Sequence, residues 1–415
     1  MSFVKGLRCR ECGHEYPVAP TNVCELCFGP VEVVYEYEAI SRSISREKIT
    51  RGPLNMSRYK ELLPVDGDII DIGTGFTPLI RAKHLGKLLR LENLYIKNDC
   101  LNPSYSFKDR VVSIAVSKAI EFGFDTLACA STGNLAGAVA AHGAQAGLQS
   151  YVFVPANLEP SKLIGASVYG PTLVAVDGDY DQVNRLCSEL ADRFNWAFVN
   201  VNIRPFYAEG SKTLGFEVAE QLGWRAPDYA IVPVASGSLF TKVWKGWQEL
   251  HSLGLIGPVR TGMYVAQAAG SSPVVNAYEA GKQEVRPVKP NTICKSLAIG
   301  NPADGRYVLK ILAESGGGAV AVSDDDIVDG MKLLAQTEGI FAETAGGVVT
   351  AALRKLAGKK VFPKDAVVVA LITGAGYKTL EAVSGHLPPA LQIQPTVSSF
   401  EEALQKRKAE GKSTA

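Results

Sequence analysis

The main functional inference from this 415-residue sequence rests on the motif Asn102-Pro103-Ser104-Tyr105-Ser106-Phe107-Lys108-Asp109-Arg110. It follows a predicted strand at residues 94–97 and opens a predicted helix with Lys108 in its first turn. A lysine there is unusual, because a helix N-terminus carries partial positive charge and favours anions. Burial beside that charge favours the neutral amine, which is the form that attacks carbonyl groups. Lys108 is therefore either a reactive amine or an ordinary surface lysine.

The length and composition indicate a globular protein with more than one folding unit. A chain of 415 residues is too long for one compact core, and its 47% apolar and 20% charged residues are typical of soluble proteins. The net charge of +1 predicts no attraction to nucleic acid or to a membrane surface. No apolar segment typical of a secretory signal is evident, and the longest apolar run, residues 366–372, is strand-sized. We therefore expect a cytoplasmic protein.

Four cysteines near the N-terminus form two Cys-x-x-Cys pairs separated by eleven residues, and these are Cys9, Cys12, Cys24 and Cys27. Two such knuckles can present four thiolates to one tetrahedral zinc ion. A redox pair is less favoured because dithiol chemistry does not need two identical knuckles, and the expected compartment disfavours disulfides. The remaining alternative is that the knuckles carry no metal. With no open ligand position in such a set, the predicted zinc is structural.

Strands and helices alternate through the middle of the chain. Strands are predicted at residues 126–130, 150–154, 172–176, 197–201, 229–234 and 366–372, with helices between most of them. This rhythm predicts an α/β fold with parallel strands and crossover helices. Loops that follow such strands are where open α/β sheets bind ligands.

Two of these loops are rich in small polar residues and precede a predicted helix. The first is Ser131-Thr132-Gly133-Asn134, and the second is Ala235-Ser236-Gly237-Ser238-Leu239. Free backbone N–H groups at a helix start bind anions. Plain N-capping is the alternative for the first loop, but four such residues exceed what one cap requires, so a carboxylate or phosphate site is favoured. The second loop is the better phosphate candidate, although it fits neither a P-loop nor G-x-G-x-x-G.

A cofactor that carries its own phosphate and aldehyde fits these features better than ATP or a nicotinamide does. Pyridoxal phosphate needs a lysine for its aldehyde, N–H groups for its phosphate and partners for its ring. Residues 106–110 and 131–134 resemble the fold type II, or β-family, pyridoxal-phosphate enzymes. The Lys108-Asp109-Arg110 version, with Glu209-Gly210-Ser211-Lys212-Thr213 and the cysteine knuckles, resembles the threonine synthase family within them. The resemblance runs from residue 73 to about residue 379, with the knuckles in addition.

The resemblance implies a role for each matched residue. Lys108 would bind the cofactor covalently and move protons, Asn134 would contact the phenolic oxygen, and Thr373 would face the pyridine nitrogen. The cofactor phosphate would be held by Ala235, Ser236, Gly237, Ser238 and Leu239, and the substrate carboxylate by Ser131, Thr132 and Gly133. Relatives often carry an arginine where this chain has Tyr207, so Arg204 and Lys212 become the candidates for the substrate phosphate.

The implied activity is that of a lyase that converts O-phospho-L-homoserine and water to L-threonine and phosphate, commonly as a homodimer. The alternatives are a threonine or serine dehydratase, a cysteine or cysteate synthase on the same scaffold, and a non-catalytic ligand sensor. The implied architecture has two α/β domains of the tryptophan synthase β kind, preceded by a zinc-ribbon-like segment. The predicted ranges are 1–40 for the ribbon, 41–105 with 206–390 for the large cofactor-binding domain, 106–205 for the small domain and 391–415 for the tail.

Overall fold

A computed structural model describes residues 2–131, 133–156, 160–178 and 180–412. The chain divides into two compact units, Met1–Thr379 and Leu380–Ala415. The first unit begins with an antiparallel ribbon, in the order β2-β1-β3, formed by β1 Val4–Cys9, β2 Glu15–Tyr16 and β3 Val31–Tyr35. Alternate residues of β3 are buried, as expected for a strand with one face on the core.

Two short helices and the first strands of a larger sheet follow the ribbon. Their bounds are α1 Tyr37–Ser43, α2 Arg46–Thr50, β4 Leu79–Arg81, α3 Lys83–Leu89, β5 Asn93–Asn98 and α4 Lys108–Glu121. The predicted strand at residues 94–97 and the helix opened by Lys108 are confirmed. Residues 109–119 of α4 are all buried, so this helix is enclosed by the rest of the unit.

The smaller sheet is entirely parallel, with the strand order β8-β7-β6-β9. Its elements are β6 Thr126–Ala130, α5 Asn134–Ala146, β7 Gln149–Pro155, α6 Pro160–Ser167, β8 Thr172–Val176, α7 Tyr180–Ala191 and β9 Ala197–Phe198. All five residues of β6 are buried, as expected for a central parallel strand covered on both faces. The predicted strand at residues 197–201 is shorter than expected and ends at Phe198.

The remaining elements of the first unit complete the larger sheet. They are α8 Arg204–Glu209, α9 Lys212–Gln221, β10 Tyr229–Pro233, α10 Ser238–Ser252, β11 Gly262–Ala268, α11 Pro273–Glu279, α12 Gly305–Ser315, β12 Gly318–Val322, α13 Asp324–Glu338, α14 Thr344–Gly358 and β13 Val367–Ile372. The strand order is β12-β11-β10-β13-β5-β4, and only β4 is antiparallel to its neighbour. The last strand, β13, therefore lies between β10 and β5.

A buried ionic cluster joins β5, α4 and α9 close to Lys108. The Arg110 guanidinium donates to Asp99 at 2.6 and 2.9 Å and to Glu217 at 2.8 Å. Lys97 Nζ donates to the same Glu217 carboxylate at 2.6 Å, and the side chains in these ion pairs are fully buried. The cluster holds the first turn of α4 against the larger sheet.

The second unit contains, within residues 380–412, the helices α15 Glu381–Ser384 and α16 Val397–Lys412. In the part of the chain that the structure describes, no helix has the length and apolarity needed to cross a membrane. The larger sheet draws its strands from residues 79–98 and 229–372, and the smaller sheet from residues 126–198. The four domain ranges stay a prediction.

Candidate active site

A cavity of about 710 Å³ lies at the carboxyl ends of strands from both sheets of the first unit. The predicted site residues that line it are Lys108, Ser131, Gly133, Asn134, Arg204, Ala235, Ser236, Gly237, Ser238, Leu239 and Thr373. Thr132 lies outside the described residues. The cavity thus brings together residues that are up to 265 positions apart in the sequence (Lys108 and Thr373).

Lys108 is positioned by the backbone on both sides of it. Its preceding residue, Phe107, donates its N–H to the carbonyl of Thr373 at 2.9 Å. The Asp109 carboxylate accepts hydrogen bonds from Ser104 N at 2.7 Å and from Ser104 Oγ at 2.6 Å, which closes the turn before α4. Lys108 Nζ reaches the cavity, where it lies 2.8 Å from Tyr207 Oη. The amine therefore has a phenolic hydroxyl group as its neighbour.

The loop at residues 235–239 has the geometry of an anion site. It leads into α10, and no side chain caps the first turn of that helix. The N–H groups of an uncapped first turn need an acceptor, which a phosphate can supply. Gly237 precedes the helix with a φ of 97°, a left-handed conformation that suits glycine. The residues present therefore fit the phosphate of a cofactor.

Replacing Gly237 by alanine should weaken cofactor binding about tenfold. The left-handed conformation costs a non-glycine residue about 1–2 kcal/mol, and the new Cβ would lie 2.8 Å from Val308 Cγ2, so the loop must shift. The dissociation constant of pyridoxal phosphate, titrated into the apoprotein by fluorescence, measures the effect. Gly254→Ala is the matched control, because Gly254 has a φ of +70° but no neighbouring atom within 4 Å of the place that a Cβ would take. Equal affinities for the two variants would contradict this role of the loop.

Asn134 is held between two charged side chains that the sequence analysis did not single out. Its Nδ2 donates to the Glu343 carboxylate at 3.0 and 2.8 Å, and its Oδ1 accepts from Lys378 Nζ at 3.0 Å. Lys378 also donates to the carbonyl of Ser104, and burial lowers the pKa of its ammonium group. The Asn134 amide therefore has a fixed orientation at the cavity wall.

Ser131 serves the capping role that was the alternative interpretation of its loop. Its Oγ accepts the N–H groups of Gly133 at 3.1 Å and of Ala136 at 2.9 Å. These bonds order the start of α5, while Ser131 still lines the cavity. Contact between this loop and a substrate carboxylate stays a prediction.

The prediction that Lys212 binds the substrate phosphate needs correction. Its side chain is fully buried, and Nζ lies 2.6 Å from Glu209 and 2.9 Å from Glu249, so its charge is already neutralised. It is not among the residues that line the cavity. Arg204 does line the cavity and is paired with Asp304 at 3.1 Å. A third cation, Lys295, is an exposed residue of the cavity wall that the sequence analysis missed.

The four N-terminal cysteines form a cluster with the dimensions of a metal site. Their Sγ atoms all lie within 4.8 Å of one another, with Cys9–Cys27 at 3.4 Å and Cys12–Cys24 at 3.6 Å. Sulfur atoms about 2.3 Å from a tetrahedral zinc lie about 3.8 Å apart. Tyr16 Oη donates to Cys24 Sγ at 3.0 Å and lowers the pKa of that thiol to about 6, which favours the thiolate that metals bind. The cluster fits zinc.

We expect the purified protein to contain about one zinc per chain and Cys24→Ser to lose it, because a hydroxyl is a poor fourth ligand. Metal analysis by mass spectrometry measures the stoichiometry. Cys100→Ser, which changes a buried cysteine outside the cluster, should retain the metal. Zinc-free wild-type protein after purification without chelators would contradict the assignment.

The lysine, the anion-binding loop and the position at strand ends define the class of protein, a fold type II pyridoxal-phosphate enzyme. The family model described as "Pyridoxal-phosphate dependent enzyme" matches residues 70–374. The fold is similar to that of maize serine racemase, with a TM-score of 0.61 and 19% identity over 81% of this chain and 93% of that one. It is also similar to the processed threonine deaminase isoform 2 of Solanum lycopersicum, with a TM-score of 0.62 and 20% identity over 79% and 82% of the two chains.

Sequence comparison gives the finer relationship. The chain is 38% identical to threonine synthase of Methanocaldococcus jannaschii over 404 residues, which cover 96% of this chain and 98% of the relative. It is 35% identical to threonine synthase of Methanosarcina acetivorans, with the same coverage of 96% and 98%. The chain belongs to the threonine synthase family of pyridoxal-phosphate-dependent enzymes. The predictions of an α/β fold, of this cofactor and of a pyridoxal-phosphate-dependent lyase are confirmed.

Proposed function

We propose that the protein converts O-phospho-L-homoserine and water into L-threonine and inorganic phosphate. The observation that carries the proposal is a cavity that holds Lys108, an anion-binding loop for the cofactor and two further cations, Arg204 and Lys295. A phosphorylated substrate needs a second anion site, which a dehydratase does not need. The names of the relatives support the same reaction.

The residues that line the cavity support a set of contacts with the cofactor. Asn134 would donate to the phenolic oxygen of the cofactor, Thr373 would contact its ring nitrogen, and the N–H groups at the start of α10 would hold its phosphate. Pyridoxal phosphate, when bound, supplies an electron sink for the negative charge that develops at the substrate Cα. The amino-acid carboxylate would bind at Ser131, Thr132 and Gly133.

Lys108 carries the proton transfers. Its Nζ removes a proton from Cα and then one from Cβ, and it returns protons at Cγ and Cα. Tyr207, 2.8 Å from this amine, orients it between these positions. Arg204 and Lys295 hold the phosphate group, which leaves from Cγ, and water adds at Cβ. The atoms balance, because Cβ exchanges a hydrogen for a hydroxyl group and Cγ exchanges phosphate for a hydrogen.

Two parallel assays test the reaction. The holoenzyme is incubated with O-phospho-L-homoserine and, separately, with L-threonine, and both phosphate and 2-oxobutanoate are quantified. Phosphate with an equal amount of threonine from the first substrate is the expected result, and unphosphorylated homoserine is the control that should give neither product. Production of 2-oxobutanoate from threonine without any phosphate release from the first substrate would show a dehydratase.

The finer organisation is also part of the proposal. We propose that the protein works as a cytoplasmic homodimer on a small-molecule substrate, with neither nucleic acid nor membrane as partner. Exposed apolar side chains of Leu101, Tyr105 and Tyr377, next to the turn before α4, support a protein interface there. The larger sheet would belong to the domain at residues 41–105 and 206–390, and the smaller sheet to the domain at 106–205. Light scattering at micromolar concentration distinguishes a dimer from a monomer.

A further inference from the structure

The first cysteine knuckle is attached to the start of α12 through the two residues between its ligands. Arg10 Nη1 donates to Asp304 Oδ1 at 3.0 Å, and its guanidinium lies 3.4 Å from the centre of the Tyr307 ring. Glu11 accepts hydrogen bonds from the Tyr307 hydroxyl and from Arg306 Nη1, the latter at 3.1 Å. The backbone of Arg10 is itself fixed, because its N–H donates to the carbonyl of Pro30 at 3.0 Å. These contacts therefore fix the position of the Arg10 side chain.

Asp304 connects this knuckle to the cavity. Its second carboxylate oxygen accepts from Arg204 Nη2 at 3.1 Å, and its own N–H donates to the carbonyl of Ser236 at 2.8 Å. It also packs on the next residue of the loop, since a Cβ on Gly237 would lie 3.0 Å from Asp304 Cβ. Asp304 thus contacts the ribbon and a cavity cation through its carboxylate, and the cofactor-phosphate loop through its backbone N–H and its Cβ.

Among these three side chains, Arg10 supplies the positive charge that offsets the Asp304 carboxylate and so favours anion binding beside Arg204. Arg10 and Arg204 contribute two positive charges and Asp304 one negative charge, which leaves one net positive charge. Without Arg10, Asp304 would neutralise Arg204 alone and draw its guanidinium toward itself. The Asp304 side chain is only 7% exposed, so solvent screens these interactions weakly. Loss of Arg10 should therefore reduce the attraction of the cavity for a phosphate group.

We propose that Arg10 is a positioning residue for the substrate phosphate: through Asp304, it keeps Arg204 available in the cavity and holds the loop at residues 235–239. Zinc bound by the four cysteines would, in turn, fix the Cys9–Cys12 turn that carries Arg10. The inference about the substrate rests on the proposed function. The inference about the loop does not, because the cofactor phosphate binds there in any enzyme of this class.

Steady-state kinetics of the holoenzyme test the substrate part. Arg10→Ala should raise the KM for O-phospho-L-homoserine about tenfold, as expected for the loss of a charge-assisted hydrogen bond, and leave kcat within about twofold. Arg10→Lys keeps the charge and should recover part of the loss. Arg8→Ala is the matched control, because Arg8 lies two residues before Arg10, on β1, with an exposed side chain. A role limited to stability would lower the melting temperature without this split between KM and kcat.

Two further measurements test the route through Asp304 and the metal. In an Asp304→Asn background, Arg10→Ala should change KM little, because two residues that act through one contact are not additive. Wild-type enzyme depleted of zinc should show the KM of Arg10→Ala, whereas zinc depletion of Arg10→Ala itself should add little.

Cofactor affinity gives a readout that needs no turnover. The dissociation constant of pyridoxal phosphate for Arg10→Ala should rise by about threefold or more, whereas that of Arg8→Ala should not. An unchanged KM and an unchanged cofactor affinity in Arg10→Ala would overturn the inference. If neither the wild-type holoenzyme nor any variant released phosphate from O-phospho-L-homoserine, the proposed function would fail. The cofactor titration would still decide whether Arg10 positions the loop.

Discussion

Lys108→Ala is expected to reduce turnover by more than about a thousandfold and to remove the visible absorbance of lysine-bound cofactor. The amine is the nucleophile for the cofactor aldehyde and also the group that moves the substrate protons, so one substitution removes both functions. The other lysine in the described wall of the cavity is Lys295. It lies in a different loop, so its amine does not replace that of Lys108 at the start of α4. The measurements are an absorbance spectrum of the purified protein and a phosphate-release assay.

The controls separate chemistry from charge and from folding. Lys108→Arg retains the positive charge but cannot supply a neutral amine, so it should be as inactive as Lys108→Ala. Lys83→Ala changes a lysine that is also the first residue of a helix, α3, but is exposed, and it should behave as wild type. A Lys108→Ala protein that keeps both colour and activity would show that another group binds the cofactor.

Glu217→Gln is expected to lower the free energy of unfolding by about 3–5 kcal/mol, the range for breaking one partner out of a buried ionic cluster. The neutral amide keeps the shape of the side chain but leaves Lys97 without its carboxylate and Arg110 with Asp99 alone. Chemical denaturation followed by circular dichroism measures the change. The control, Glu189→Gln, breaks an exposed pair with Arg185 and should cost less than about 1 kcal/mol.

The Glu217 carboxylate also predicts that the stability of the protein depends on pH. Burial alone would raise the pKa of Glu217, but Arg110 and Lys97 outweigh burial and lower that pKa from 4.5 to about 2. A carboxylate with a lowered folded-state pKa stabilises the protein above its unfolded-state pKa, and this contribution is lost as the pH falls toward the folded-state value. The stability difference between wild type and Glu217→Gln should therefore be full at about pH 7 and shrink below about pH 4.5. A constant difference down to about pH 3 would contradict the assignment.

Strands and helices were predictable where the local sequence pattern was strong. The strands at residues 126–130 and 172–176 have the predicted bounds, because their apolar runs end at clear breaks, and α4 begins at Lys108 as predicted. The strand β12 was not predicted, although its residues 319–322 form a short apolar run. The strand β11 and the helix α12 were also not predicted.

The site was predictable where short motifs encode it and not where partners are distant in sequence. Lys108, Asn134 and Gly237 each belong to a local strand–loop–helix pattern, so the sequence alone singles them out. All three line the cavity, and their roles toward the cofactor stay predictions. Lys212 was misjudged because its charge is neutralised by Glu249, 37 residues away, and by Glu209. Glu209 lies only three residues earlier on the chain, so this second ion pair could have been expected from the sequence. The contact between Arg10 and Asp304 spans 294 residues and leaves no local signal.

The place of β13 in the larger sheet has a consequence for biosynthesis. This strand follows the other described strands of the sheet in the sequence, yet it pairs with β5 on one side and β10 on the other. Until the ribosome has released it, those two strands have unpaired edges, which are prone to association with other chains. The carbonyl that anchors the residue before Lys108 also follows β13, at Thr373. The cofactor site therefore cannot be complete before β13 and Thr373 have been synthesised and have left the ribosome.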